Sequence, residues 1–127
     1  MPWYISMREN IKLIKKILSN YNKNIETIKK HNSNEIIMRE ESEAYIKIEE
    51  SEFRRASREV ELRNLLFLQL EEDEKLLLNL KYLKNMNVHK VSEELFISNR
   101  QFFRKQKAIM DKLDRYVDEF KEIFEIK

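Results

Sequence analysis

The chain contains no glycine and no cysteine, and its single proline stands at position 2. Glycine and proline provide the backbone angles that tight hairpins and long loops need, so there is little material for a β-rich or loop-rich fold. An all-α fold is expected. Without cysteine there is no disulfide framework and no thiolate zinc site. Two histidines, His31 and His89, do not make an H-E-x-x-H pair, so no metal centre is expected. Long hydrophobic runs are missing as well. The first 30 residues hold no continuous apolar segment, so neither a signal peptide nor a membrane span is expected, and the chain reads as cytoplasmic. Catalysis finds no footing: there is no Gly-rich phosphate loop, no nucleophile–base pair and no carboxylate pair in an apolar pocket. Neither an enzyme nor a cofactor nor a small-molecule substrate is expected.

What the chain has is segregated charge. The net charge is only +2, yet residues 8–30 carry seven Lys/Arg against Glu9 and Glu26. Residues 35–59 carry eight Glu against five Lys/Arg, and residues 81–107 again carry seven Lys/Arg against Glu93 and Glu94. Two basic blocks flank an acidic one. The second basic block coincides with a segment that has its own architecture.

That segment is residues 69–113. Leu76, Leu77, Leu80 and Leu83 recur at helical spacing behind the acidic run Glu71–Glu74, which suits a helix N-terminus. Lys84-Asn85-Met86 breaks the pattern. Asn87 is an N-cap, and Val88, Val91 and Leu95 form one apolar face of a short helix. Phe96-Ile97 makes a turn, and Ser98 with Gln101 forms the S-x-x-Q capping box of a third helix. Phe102, Ile109, Met110, Leu113, Val117 and Phe120 mark its inner side. Helix, turn, short helix, turn and long basic helix is the plan of a trihelical helix-turn-helix whose last helix enters the DNA major groove.

With Glu74-Lys75, Asn79-Leu80-Lys81-Tyr82, Val88, Val91-Ser92, Leu95, Ile97-Ser98 and Arg100 in this order, the segment resembles region 4 of sigma factors. It is more similar to the sigma-region-4-like regulators of phages, the late-gene activators of the ArpU and RinA type. The resemblance covers about 45 residues, a little over a third of the chain. It implies a DNA-binding transcription regulator. Family members often carry glycine in one or both turns, whereas this chain has Asn85 in the first and Phe96 in the second. Asparagine takes the left-handed conformation at modest penalty, and phenylalanine does so less readily.

The first half carries no motif of its own. Met7, Ile11, Ile14, Leu18, Tyr21, Ile25 and Ile28 are spaced alternately by four and three, a heptad stripe that wants a partner helix. His31-Asn32-Ser33-Asn34 interrupts it, and a second helix is expected from about residue 35 to 69. The polar stretch 49–59 makes the second seam thin. The stripe can fold back on the second helix as an antiparallel hairpin, basic face against acidic face, and can also pair with a second chain. Residues 1–69 are therefore expected to be a helical hairpin for oligomerisation, and residues 70–127 a DNA-binding part with an extended C-terminal helix.

Side chains at the start of a recognition helix reach base edges, where Arg pairs with guanine and Gln or Asn with adenine. The expected base-reading set is Asn99, Arg100, Gln101, Phe103 and Arg104. Phe102 is assigned to the core; Phe103 can touch a thymine methyl or pack on the N-terminal half. Lys105 and Lys107, with His89 and Lys90 on the preceding helix, are candidate phosphate contacts. The expected partners are double-stranded DNA, a second copy of the chain and, as a further candidate, RNA polymerase. Two other readings use the same pattern: a small DNA-packaging subunit, and a helical factor that acts on a protein without touching DNA.

Overall fold

The structure, a computed structural model, describes residues 3–34 and 43–124. Among them it is all-helical. The elements are α1 (Trp3–Ser19), α2 (Tyr21–Asn34), α3 (Glu43–Leu68), α4 (Glu72–Leu78), a π turn (Asn79–Leu83) that continues α4, α5 (Val88–Glu94) and α6 (Asn99–Phe124). Of the second helix expected from residue 35, residues 35–42 lie outside the described residues. The side chain of Met7 lies outside them too. No described helix is long and apolar enough to cross a membrane.

The heptad stripe runs through α1 and α2 with one irregularity at Asn20. Its backbone N–H still reaches the Lys16 carbonyl at 2.9 Å, and its carbonyl accepts from the Asn24 N–H at 2.8 Å, so the hydrogen-bond ladder passes through. Arg63 stacks over the Tyr21 ring at 4.2 Å, and His31 stacks on Phe53 with ring centroids 4.0 Å apart. These two pairings run in opposite directions along the chain, so α2 and α3 lie antiparallel. Of the acidic face expected against the basic one, Glu35, Glu40 and Glu41 lie outside the described residues, as do the side chains of Glu43 and Glu49. Lys12, Lys15, Lys16, Lys23, Lys29 and Lys30 are all exposed. Among the described residues, no ion pair joins α1 or α2 to α3. Apolar burial selects this packing, because exposed ion pairs contribute little. The thin seam carries a polar exception: Glu59 is buried and held by Arg55 at 2.6 Å.

The core gathers residues from both halves. Ile14, Ile17 and Leu18 of α1 meet Leu62, Leu66 and Phe67 of α3, Leu77 and Leu78 of α4, Val91 of α5, and Phe102, Ile109, Met110, Leu113 and Val117 of α6 in one cluster. The cluster runs across position 69/70, with Leu66 and Phe67 on one side and Leu70 and Leu77 on the other. Asn10 adds a polar tie, its side-chain amide donating to Asp114 at 2.9 Å and to Asp118 at 3.1 Å. The stripe of α1 is therefore largely engaged within its own chain. Ile14 and Leu18 are buried and Ile11 packs against the cluster, while Tyr21, Ile25 and Ile28 are half-buried.

One expectation about α4 changes. Leu76 is 48 % exposed, and Leu78 takes a buried place instead. The π turn inserts extra rotation between Leu78 and Lys84, so a stripe of constant spacing through Leu76 and Leu83 does not stay on one face.

Candidate nucleic-acid interface

The geometry of residues 71–107 follows from local chemistry. Glu71 precedes α4, and its N–H donates to the Glu74 carboxylate at 2.8 Å, so the acidic run satisfies the open helix start. The π turn ends where the Lys84 N–H reaches the Asn79 carbonyl and the Met86 N–H reaches the Leu80 carbonyl. Between them Asn85 stands at φ 54°, in the left-handed region it tolerates. Asn87 then caps α5 by accepting from the Lys90 N–H at 2.8 Å. Asn87→Ala should therefore lower stability by about 1 kcal/mol, read as a shift of the urea midpoint at constant slope.

The second turn is a Schellman closure. The Ile97 N–H reaches the Ser92 carbonyl at 3.0 Å and the Phe96 N–H reaches the Glu93 carbonyl at 3.2 Å. This closure places Phe96 at φ 55°, where glycine is the usual occupant. Ser98 and Gln101 then close the expected capping box: Ser98 N–H donates to Gln101 Oε1 at 2.9 Å, and Gln101 N–H to Ser98 Oγ at 3.1 Å. The helix start of α6 is thus fixed by its own side chains.

Phe102 is fully buried and seats α6 against the rest of the fold. The opposite side of its first two turns is open: Asn99, Arg100, Gln101, Phe103, Arg104, Lys105 and Lys107 are all exposed. Arg100, Phe103, Arg104 and Lys107 follow at intervals of three and four, so they form one stripe. Phe103 is 56 % exposed, and its ring stands edge-to-face on Phe102 with centroids 5.4 Å apart. Of the two uses open to Phe103, this exposure favours an external contact over packing on the N-terminal half.

Three of the expected contact residues have protein groups beside them. The Gln101 side-chain oxygen accepts from the Ser98 N–H in the cap, so a bidentate contact to adenine would compete with that hydrogen bond. Lys105 lies on the neighbouring side of α6, beside a cleft that Glu71, Asp73 and Glu74 also line, away from the Arg100 stripe. His89 Nε2 is 2.9 Å from the Glu93 carboxylate one turn along α5, and both side chains are exposed. Lys90 is exposed beside it.

α6 also carries a long-range tie that sequence reasoning missed. Lys112 Nζ donates to Glu74 Oε1 at 2.9 Å and ties α6 to the start of α4. Burial pushes the Glu74 carboxyl up, but the Glu71 N–H and the Lys112 ammonium outweigh it and hold it below the usual carboxylate range. The same hydrogen bond raises Lys112 above the usual lysine value. A separation of 38 residues leaves no local signal from which to predict this pair.

Among the described residues, no group of three His, Asp or Glu side chains is placed to hold a metal ion. No family model matches the chain, and no curated protein or solved structure matches it.

Proposed function

We propose that the chain is a sequence-specific DNA-binding transcriptional regulator, with α4, α5 and α6 as a trihelical helix-turn-helix of the sigma region 4 kind. The observation that carries this reading is the exposed stripe Arg100, Phe103, Arg104 and Lys107 at the capped start of α6. It combines bidentate donors, an apolar ring and a positive helix end on one open face. In this reading α6 enters the major groove. Asn99, Arg100 and Arg104 reach base edges, while Lys107 and Lys90 contact phosphate from either side of the turn. The resemblance to phage late-gene activators supplies the biological setting of the proposal, with RNA polymerase as its second partner.

A homodimer on two half-sites belongs to the same proposal. Ile14 and Leu18 are engaged in the chain's own core, so a second copy would meet other apolar surface. Among the described residues, Leu68 is the most exposed large aliphatic side chain, 72 % open. That surface is also what favours the protein-binding reading, in which the helices act on another protein.

The test is a salt titration of binding to random duplex DNA, followed by selection and sequencing of the retained pool. The expected result is an enriched motif in two half-sites about one helical turn apart. Retention without enrichment, fading steeply with salt, would point instead to a packaging subunit. Absence of retention at low salt would leave the protein-binding reading. Within this scheme Lys107→Ala should weaken all duplexes alike and lower the slope of log K against log salt by about 0.9. Lys105→Ala should change that slope less, because the acidic start of α4 lies beside it.

A further inference from the structure

Phe96 joins two features that a folded domain rarely keeps together. Its backbone is left-handed at φ 55°, a conformation that residues other than glycine, asparagine and aspartate adopt at a penalty. Its side chain is 95 % exposed, so the ring adds nothing to the core in return. Glycine would satisfy the Schellman turn without either disadvantage. Strain of this kind, when the fold does not need it, points to a use outside the fold.

The place of the ring indicates that use. Three peptide units separate Phe96 from Asn99, so its Cα lies within about 11 Å of the start of α6. The exposed side chains there are Asn99, Arg100, Phe103 and Arg104, and among the described residues no acidic group stands between Glu94 and Asp111. Glu93 and Glu94 are exposed on the α5 side of the turn, and the cationic stripe begins on its α6 side. An apolar ring within reach of that stripe matches a surface that is anionic at its edges and apolar within. Double-stranded DNA presents phosphates at the groove edges and thymine methyl groups inside it.

Resting on the DNA-binding reading above, we infer that Phe96 is a second apolar DNA contact. With Phe103 it brackets the start of α6 and selects thymine through its C5 methyl group. The left-handed turn is then what holds the ring outward.

The experiment uses the full chain and duplexes enriched from a random-sequence pool, prepared with thymidine or with deoxyuridine. Wild-type protein should lose roughly fourfold in affinity for each contacted thymine replaced by uracil. Phe96→Gly and Phe96→Asn should each bind the thymine duplex about tenfold more weakly, with an unchanged salt slope, because a ring releases no counterions. Both should lose the uracil sensitivity at that position. Phe96→Gly should also melt at or above the wild-type temperature, which separates lost contact from lost fold.

Wild-type affinity and uracil sensitivity in both variants would overturn the contact and leave the Arg100 and Arg104 reading standing. Weakening in the glycine variant alone would also overturn it, since asparagine keeps the turn and removes the ring. Weakened binding with uracil sensitivity intact would remove thymine selection. Failure of the wild-type chain to bind duplex at low salt would take down the DNA reading and this contact together.

Discussion

Alanine at Arg100 or Arg104 should weaken binding to the cognate duplex by about 1–3 kcal/mol, and should relax discrimination at one base pair. That range corresponds to roughly a fivefold to 150-fold rise in Kd. The expectation is large because both guanidinium groups sit on the exposed side of a helix start that is already organised. The Ser98–Gln101 box and the Schellman closure fix the first turn before any ligand arrives. Little ordering of the backbone then has to accompany binding. Arg100 and Arg104 are also one helical turn apart, so a single groove position can serve both. Arg→Lys at either position should recover little, since a lysine ammonium cannot make the bidentate contact. The measurement is competition binding on the enriched duplex and on versions changed at single base pairs. Equal losses on enriched and random DNA would move both arginines from base reading to phosphate contact.

Phe102→Ala should be the most destabilising single change in the chain, at about 3–5 kcal/mol. The ring is fully buried, and it touches the cluster where α1, α3, α4, α5 and α6 meet. Its removal leaves a cavity that helices fixed at several points cannot close. It also removes the surface on which Phe103 stands edge-to-face, so the exposed stripe of α6 should loosen even in the molecules that stay folded. Because Ile14, Leu18, Leu62 and Leu66 share the cluster with Leu113 and Val117, unfolding should be a single transition. Urea unfolding followed by far-ultraviolet circular dichroism and by the Tyr and Trp signals should give coincident curves. Two separated transitions would show that residues 1–69 and 70–127 fold independently, against the shared core.

The local elements near the site were legible because their determinants lie within a few residues of one another. The absence of glycine and the single proline at position 2 pointed to the all-α class. Asn87 and the Ser98–Gln101 pair marked helix starts through side-chain hydrogen bonds that span three residues. The inner face of α6, from Phe102 to Phe120, follows the 3.6-residue period, and all six marked residues are buried. Even the two left-handed positions, Asn85 and Phe96, were identifiable as the places where glycine would be expected.

Tertiary structure decided what lies beyond that range. A heptad stripe states that α1 needs an apolar partner, but not whether the partner is α3, α6 or another chain. Burial energy has no direction along the sequence, and only the assembled core shows that Ile14 and Leu18 belong within it. Exposed lysines in water gain little from distant glutamates, and the lysines of α1 stay in solvent, while Lys112 ties α6 to Glu74 at the start of α4. The cap on Gln101 and the π turn that displaces Leu76 are likewise competitions between local groups, and the surrounding packing settles them. Sequence alone determined which residues could begin, end and face inward on each helix. The three-dimensional packing determined which of the remaining side chains were left open, because exposure is a property of neighbours far away in the chain.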